Sequence, residues 1–170
     1  MDQEYIIPSM LMSLWSALGC VGQIIGALAS GPWQDRAGRR WPLATGSSIS
    51  AVGVAVTYTS NLPGGLDARR VIFLIGEMTQ GVAIGISLTT AQTYISETVP
   101  TTLRSSAMDL IPTLLLTDQL AGALVCLGVS RGDAQGSYLV AFKSMWAFLV
   151  IPFAVAILVP ESPSFLVRRE

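Results

Sequence analysis

The densest group of charged side chains in the sequence lies in GPWQDRAGRRW, residues 31–41, between two long uncharged stretches. It contains Asp35, Arg36, Arg39 and Arg40. An acid among arginines at the end of a helix is suited to an ion pair, or to the positive N-terminus of a neighbouring helix. Two interpretations stay open from the residues alone: a basic turn that only fixes the orientation of the chain in a membrane, or a contact that holds two parts of the protein together in one state.

The segments around this group predict membrane-spanning helices. Hydrophobic residues make up 51% of the 170 residues and charged residues only 12%, about half the charge of an ordinary soluble domain. A helix needs about 20 residues to cross the hydrocarbon core, and five stretches are long and apolar enough. They cover residues 8–31, 41–61, 71–96, 105–129 and 144–160. We expect Pro32 to end or kink the first helix and Gly38 to supply the turn into the second.

The distribution of basic residues predicts the orientation of these spans in the membrane. Six Lys or Arg residues fall on the side of the Asp35 loop and four on the other side, so we expect the Asp35 loop and the C-terminus to be cytoplasmic. The first stretch is too long for a signal peptide and follows acidic residues, so we expect it to stay in the membrane. The lipid bilayer is therefore the first predicted partner of the chain.

The sequence lacks the residues that several classes of function require. The formal net charge is −1, so we expect no nucleic-acid partner. The sequence has no histidine, Cys20 and Cys126 are far apart in apolar segments, and there is no phosphate-binding loop. We therefore expect no catalytic site, no metal site and no cofactor, and the protein is predicted not to be an enzyme.

Three motifs carry a resemblance to a known family. Gly-x-x-x-Asp-Arg-x-Gly-Arg-Arg at residues 31–40 resembles the loop between helices two and three of the major facilitator superfamily. YISETVPTTLR, residues 94–104, resembles the junction of helices four and five in its sugar porter family, and PESPSFLVRR, residues 160–169, resembles the segment after helix six. LIGEMTQGVAIG, residues 74–85, is similar to fungal sugar and α-glucoside permeases.

The resemblance implies a fold and a function. The fold is an all-α membrane protein in which residues 1–170 form an incomplete N-terminal six-helix half, about helices two to six of twelve. The function is transport of a mono- or disaccharide, with protons as the coupling ion, by alternating access in a full-length plasma-membrane protein whose remaining helices are partners of this chain. The alternatives are a truncated or degenerate relative that does not transport and a transporter-like nutrient sensor.

The resemblance also implies roles for charged residues. The loop motif comprises Gly31, Asp35, Arg36, Gly38, Arg39 and Arg40. Glu97, Arg104 and Glu161 lie where the family keeps a cytoplasmic charge network, so we expect them to act with the loop arginines as a latch. The other interpretation is that Glu97 and Arg104 are helix-end charges that lie in the water of the headgroup region.

Polar residues inside the spans are the candidates for substrate and proton binding. Gln119 is the first substrate candidate because an amide both donates to and accepts from a hydroxyl. Gln23 and Gln92 are weaker candidates that can equally hydrogen-bond between helices. Glu77 is a coupling candidate, since an ionisable residue in a span is costly. Pro112 departs from the family, which tends to have an amide there, and Asp118 stands where a small residue is usual.

Pairs of small residues four apart predict where helices approach closely. Gly22 and Gly26 form one such pair, and Gly81 and Gly85 form another. Without side chains, these positions allow two backbones to come into contact in lipid. We expect all four to be packing positions.

Overall fold

The computed structural model describes residues 9–60 and 65–130, and these residues form four helices without a strand. The helices are α1 (Ser9–Ala37), α2 (Arg40–Thr59), α3 (Leu66–Thr98) and α4 (Thr101–Ser130). The fifth predicted span, residues 144–160, lies outside the described residues, as does Glu161 of the predicted latch.

The helices overlap the first four predicted spans but are longer at most ends. Of the two alternatives expected for Pro32, ending the first helix is wrong, because α1 continues through Pro32 to Ala37. A proline inside a helix removes only one backbone hydrogen bond, and a spanning helix tolerates this where neighbouring groups compensate. α1 ends instead at Ala37, and the next residue, Gly38, has the left-handed φ of 85°.

Three of the helices are long and apolar enough to cross a membrane: Met10–Ala37, Asp67–Thr98 and Thr101–Val125. The second predicted span, α2, is not among them. Its 20 residues are rich in Ser, Thr and Gly, and its buried positions are mostly small or hydroxyl-bearing: Pro42, Gly46, Ser47, Gly53, Val54 and Thr57. Its composition therefore reflects close packing against a neighbouring helix.

α3 is the central helix of the described bundle and packs extensively on both α1 and α2. Gly22 and Gly26 of α1 meet Met78 and Val82 of α3 in the same order, so these two helices run parallel. Gly46 and Gly53 of α2 meet Ser87 and Gln80 of α3 in the opposite order, so that pair runs antiparallel.

The α1–α2 turn at residues 37–40 and the α3–α4 turn at residues 98–101 consequently lie at one end of the bundle, named here the junction end. α4 has only a small contact with α3.

The α1–α3 crossing confirms the predicted packing role of the four glycines. A Cβ added to Gly22 would lie 2.5 Å from the carbonyl oxygen of Met78. A Cβ on Gly26, Gly81 or Gly85 would likewise collide with a carbonyl oxygen of the opposite helix. The two backbones are thus in direct contact, which only glycine permits.

Candidate functional site

The turn between α1 and α2 contains only two residues, Gly38 and Arg39. The backbone N–H of Gly38 donates to the carbonyl oxygen of Gln34 at 3.0 Å, which caps the C-terminus of α1 in the left-handed manner that glycine favours. Gly38 is buried. This tight cap allows α2 to begin at Arg40 and fixes the direction in which the Arg39 side chain leaves the backbone.

Arg39 connects three helices at the junction end. Its Nη2 donates to Oε1 of Glu97 in the last turn of α3, at 2.6 Å. Its Nη1 donates to the carbonyl oxygen of Gln34 at 2.9 Å, so the positive charge also lies at the negative C-terminus of α1. The side chains of Arg39 and Glu97 are only 10% and 19% exposed, and this shielding strengthens the charge-assisted bond.

Two further N–H groups are buried at this site. Nε2 of Gln34 and Nε of Arg39 have no acceptor within the described part of the chain, and Gln34 is only 3% exposed. A buried donor without an acceptor costs about 1–3 kcal/mol. The junction end therefore combines a shielded ion pair with two buried donors that have no acceptor among the described residues.

The other residues of the loop motif lie at the surface. Gly31, Asp35, Arg36 and Arg40 are all exposed. Neither Asp35 nor Arg104, which is also exposed, forms an ion pair with a described residue. Of the charges assigned to the latch, Glu97 is paired, and its partner is Arg39 of the loop motif.

Comparison with known proteins finds one family model that matches almost the whole chain. Residues 2–170 match the family model described as "Sugar (and other) transporter". The chain belongs to this family.

Among its relatives, the MFS transporter fmqE of Aspergillus fumigatus is 30% identical over 167 residues, which are 96% of this chain and 29% of fmqE. The arabinose-proton symporter of Bacillus subtilis is 29% identical over 153 residues, which are 87% of this chain and 32% of that relative. The chain thus spans about a third of the length of these relatives.

A solved structure confirms the predicted fold class. The chain superposes on the proton:xylose symporter XylE, a major facilitator superfamily protein, with a TM-score of 0.85 and 22% sequence identity. The match covers 97% of this chain and 39% of XylE. The protein is therefore an all-α integral membrane protein with part of the major facilitator fold.

In this member of the sugar transporter family, the three glutamine candidates lie on three different helices. The side chains of Gln23 in α1, Gln92 in α3 and Gln119 in α4 are all exposed. No hydrogen bond joins any two of them within the described ranges. The backbone of Gln23 has a separate role, because its carbonyl oxygen lies against Gly85 in the α1–α3 crossing.

The coupling candidate Glu77 is half-buried in α3, one turn after Phe73. Phe73 packs on Trp15 of α1, with ring centroids 4.7 Å apart. Asp118, in contrast, is exposed on α4. The two acids in spanning helices therefore have different surroundings.

Sequence analysis missed a hydrogen-bonded pair inside the bundle. Nε2 of Gln80 in α3 donates to Oγ1 of Thr57 in α2 at 3.0 Å, and Thr57 Oγ1 donates to the carbonyl oxygen of Gly53 at 2.9 Å. The signal was present, since an amide in a spanning helix needs a partner. Its partner could not be read from sequence, because it depends on the register of two antiparallel helices.

Proposed function

We propose that the chain forms part of a carrier that moves a mono- or disaccharide across a membrane by alternating access, with protons as the coupling ion. Membership of the sugar transporter family supports solute transport as the class of activity. The name of the arabinose-proton symporter supports a sugar and a proton as the two substrates of this chain.

The observation that carries the mechanism is the Arg39–Glu97 ion pair. Alternating access needs a rigid unit and an end that closes in one state and opens in the other. The pair joins the α1–α2 turn to the last turn of α3 across 58 residues of sequence. In the proposed mechanism it stabilises the state in which the junction end is closed, and Arg104 and Glu161 belong to the same charge network.

The junction end is assigned to the cytoplasm. Four arginines lie near it in the described residues, Arg36, Arg39, Arg40 and Arg104, against Arg69 and Arg70 near the opposite end. Short loops with more Lys and Arg stay on the cytoplasmic side. The plasma membrane is the proposed location.

Substrate and proton are assigned to the polar residues of the spans. Gln119 is the proposed sugar contact, with Gln23 and Gln92 as secondary contacts, because an exposed amide in a spanning helix can exchange hydrogen bonds with hydroxyls. Glu77 is the proposed proton site. A charged carboxylate within a span costs at least about 2.5 kcal/mol. Protonation of Glu77 removes this cost because the carboxyl group becomes neutral.

Uptake of labelled glucose and maltose tests the proposal, in cells that lack their own carriers, with and without a proton uncoupler. The chain is compared with an extended form, in which it is joined to the segments of a sugar-porter relative that lie outside the matched region. We expect uptake by the extended form that the uncoupler abolishes.

Glu77→Gln in the extended form should abolish uptake against a sugar gradient while leaving exchange of sugar between the two sides. Asp118→Asn is the matched control, since it removes an exposed carboxylate from another spanning helix. Correct membrane insertion without any sugar uptake by the extended form would instead favour a non-transporting relative or a nutrient sensor.

A further inference from the structure

The amide of Gln80 in α3 has a fixed orientation, because its partner on α2 can only accept. Thr57 Oγ1 donates its one proton to the carbonyl oxygen of Gly53 at 2.9 Å, so only its lone pairs remain for Gln80. The amide nitrogen therefore faces Thr57, and Nε2 donates to Oγ1 at 3.0 Å. The carbonyl end of the amide, Oε1, is directed away from Thr57.

The Gln80 amide lies beside the preceding turn of α3. A Cβ added to Gly76 would collide with Thr57 Oγ1, so the oxygen that holds the amide lies against the backbone of Gly76. Helical side chains lean toward the N-terminus of their helix, and Gln80 follows this direction, since Gly76 comes four residues before it. The next residue after Gly76 is Glu77, the proposed proton site.

Glu77 lies on the side of this amide that faces away from Thr57. Residues three apart are neighbours on a helix surface, with Cβ atoms about 5–6 Å apart. Gly76 faces Thr57, and Glu77 is turned about 100° from Gly76 around the helix, which places the carboxyl group toward Oε1 of Gln80. Among the described residues, none forms an ion pair or hydrogen bond with Glu77, and none donates to Oε1 of Gln80.

The carbonyl oxygen of Gln80 distinguishes the two charge states of Glu77. An ionised carboxylate and an amide carbonyl oxygen both only accept hydrogen bonds, so they cannot bond to each other. A protonated carboxyl group has an O–H that can donate to Oε1. A hydrogen bond between Glu77 and the carbonyl end of Gln80 is consequently available only when Glu77 carries its proton.

We propose that Gln80 is the positioning residue of the proton site, where protonated Glu77 donates its O–H to Oε1 of an amide that Thr57 holds in place. The inference rests on the proposed function, in which Glu77 binds the coupling proton. It also connects proton binding in α3 with α2, because the hydrogen bonds run from Glu77 through Gln80 and Thr57 to the carbonyl oxygen of Gly53.

Few other groups that titrate or carry charge surround Glu77 within the described part of the chain. Arg70, before it on α3, is about 10 Å away along the helix and pairs with Asp67. The thiol and the phenol of the neighbouring helices are uncharged at neutral pH. The groups on the helices packed against α3 are all exposed: Cys20 of α1, Tyr58 of α2, and Asp109 and Asp118 of α4. We therefore expect the pH dependence of transport to follow Glu77.

The pH dependence of sugar uptake by the extended form tests the role of Gln80. Gln80→Met removes the acceptor with little change in size, so protonation of Glu77 loses one hydrogen bond. The pH of half-maximal uptake should then shift about 0.5–1 unit lower. Thr57→Val, which releases the amide, should cause a smaller shift in the same direction, whereas Thr57→Ser should keep the profile of the parent.

Thr79→Val is the matched control for these variants. Thr79 is the residue before Gln80, and its Oγ1 donates to the carbonyl oxygen of Ile75 at 2.7 Å. This substitution removes a hydroxyl from the same turn of α3, but from a position turned about 100° from Gln80. The pH of half-maximal uptake should not change.

Infrared titration of the purified extended form measures the hydrogen bond without transport. The C=O stretch of protonated Glu77 is identified by its loss in Glu77→Gln. In Gln80→Met this band should move to higher wavenumber, as expected for a carboxyl group that no longer donates, and it should appear only at lower pH than in the parent. Thr79→Val should leave both the band and its titration unchanged.

Two results would overturn the inference. An unchanged band and an unchanged pH profile in Gln80→Met would show that Gln80 only packs α2 against α3. A shift of half-maximal uptake to higher pH would show that the amide serves the ionised carboxylate through its second N–H. Failure of the proposed function is distinguishable, because the extended form would then take up no sugar, while the infrared titration still decides whether Glu77 donates to Gln80.

Discussion

The α1–α3 crossing and the junction end hold the same helices together by opposite means. At the crossing, Gly22, Gly26, Gly81 and Gly85 bring two backbones into contact, with carbonyl oxygens where side chains would otherwise lie. At the junction end, one charged side chain, Arg39, reaches across to Glu97. The first contact has no part that can move by itself, whereas the second can be broken by the rotation of a single side chain.

The difference shows how a membrane protein can be rigid in one region and adjustable in another. In lipid, apolar side chains gain little from meeting each other, so close backbone packing supplies the permanent contacts. An ion pair is strong while it is shielded, yet water can replace it when the ends of the helices separate. We therefore expect mutations at the crossing to affect folding and mutations at the junction end to affect the balance between states.

The largest effect is expected at the crossing. Gly26→Ala places a Cβ against the carbonyl oxygen of Val82, and the helices must move apart, which should lower the free energy of unfolding by about 3 kcal/mol. Denaturant unfolding of the purified chain in detergent measures the change.

Gly19→Ala is the matched control for this prediction. Gly19 lies on the same helix, but a Cβ added there has nothing within 4 Å. Alanine is favoured over glycine in a helix by up to about 1 kcal/mol, so this variant should be as stable as the parent or slightly more stable. Equal destabilisation by both substitutions would mean that backbone contact does not hold α1 and α3 together.

An intermediate effect is expected at the junction end. Glu97→Gln leaves the guanidinium of Arg39 shielded without its carboxylate, which should cost about 2 kcal/mol. A double-mutant cycle with Arg39→Gln measures the coupling between the two side chains. The cycle also separates the ion pair from the bond that Arg39 donates to Gln34.

The Asp67–Arg70 ion pair provides the control for the junction end. It has an N–O distance of 3.2 Å, and its side chains are 96% and 43% exposed. Asp67→Asn should change stability by no more than about 0.5 kcal/mol. If the coupling at Arg39–Glu97 were equally small, the ion pair would not stabilise the closed junction, and the latch would need another basis.

More of the fold than of the candidate site could be predicted from the sequence. Long uncharged stretches identify spanning helices because lipid leaves little choice of composition, and glycine pairs identify close approaches for the same reason. The motifs brought Arg39 and Glu97 into the candidate site, but several arginines of similar spacing could have paired with Glu97. The Arg39–Glu97 pair depends on how the α1–α2 turn sits against the end of α3, which the motif does not specify.

Two features of the site were not predictable from the residues that were considered. Gln34 occupies a variable position of the loop motif, so nothing in the motif indicates that its amide is buried. Gln34 belongs to the part of α1 that continues past Pro32, and the expectation of an end or a kink at Pro32 did not decide whether this part is helical. Both misses come from packing between helices, which depends on register and not on the type of one residue.

The smallest effect on stability is expected for the hydrogen bond between α2 and α3. Its size tells whether this bond is a minor addition to helix packing or a contact comparable to the Arg39–Glu97 ion pair. Gln80 Nε2 donates to Thr57 Oγ1 at 3.0 Å, and Thr57 is only 2% exposed. Interhelical hydrogen bonds in membrane proteins contribute about 0.6 kcal/mol on average. A double-mutant cycle of Gln80→Leu and Thr57→Val should give a coupling of this size.

A small coupling is expected because Thr57 Oγ1 keeps its bond to the carbonyl oxygen of Gly53 when Gln80 is replaced. Thr57→Ser preserves the hydroxyl and should retain most of the coupling, which separates the hydrogen bond from side-chain packing. A coupling above about 2 kcal/mol would instead place this bond beside the Arg39–Glu97 ion pair. The α2–α3 contact would then be held by polar side chains, and the rigid unit would be reduced to the α1–α3 crossing.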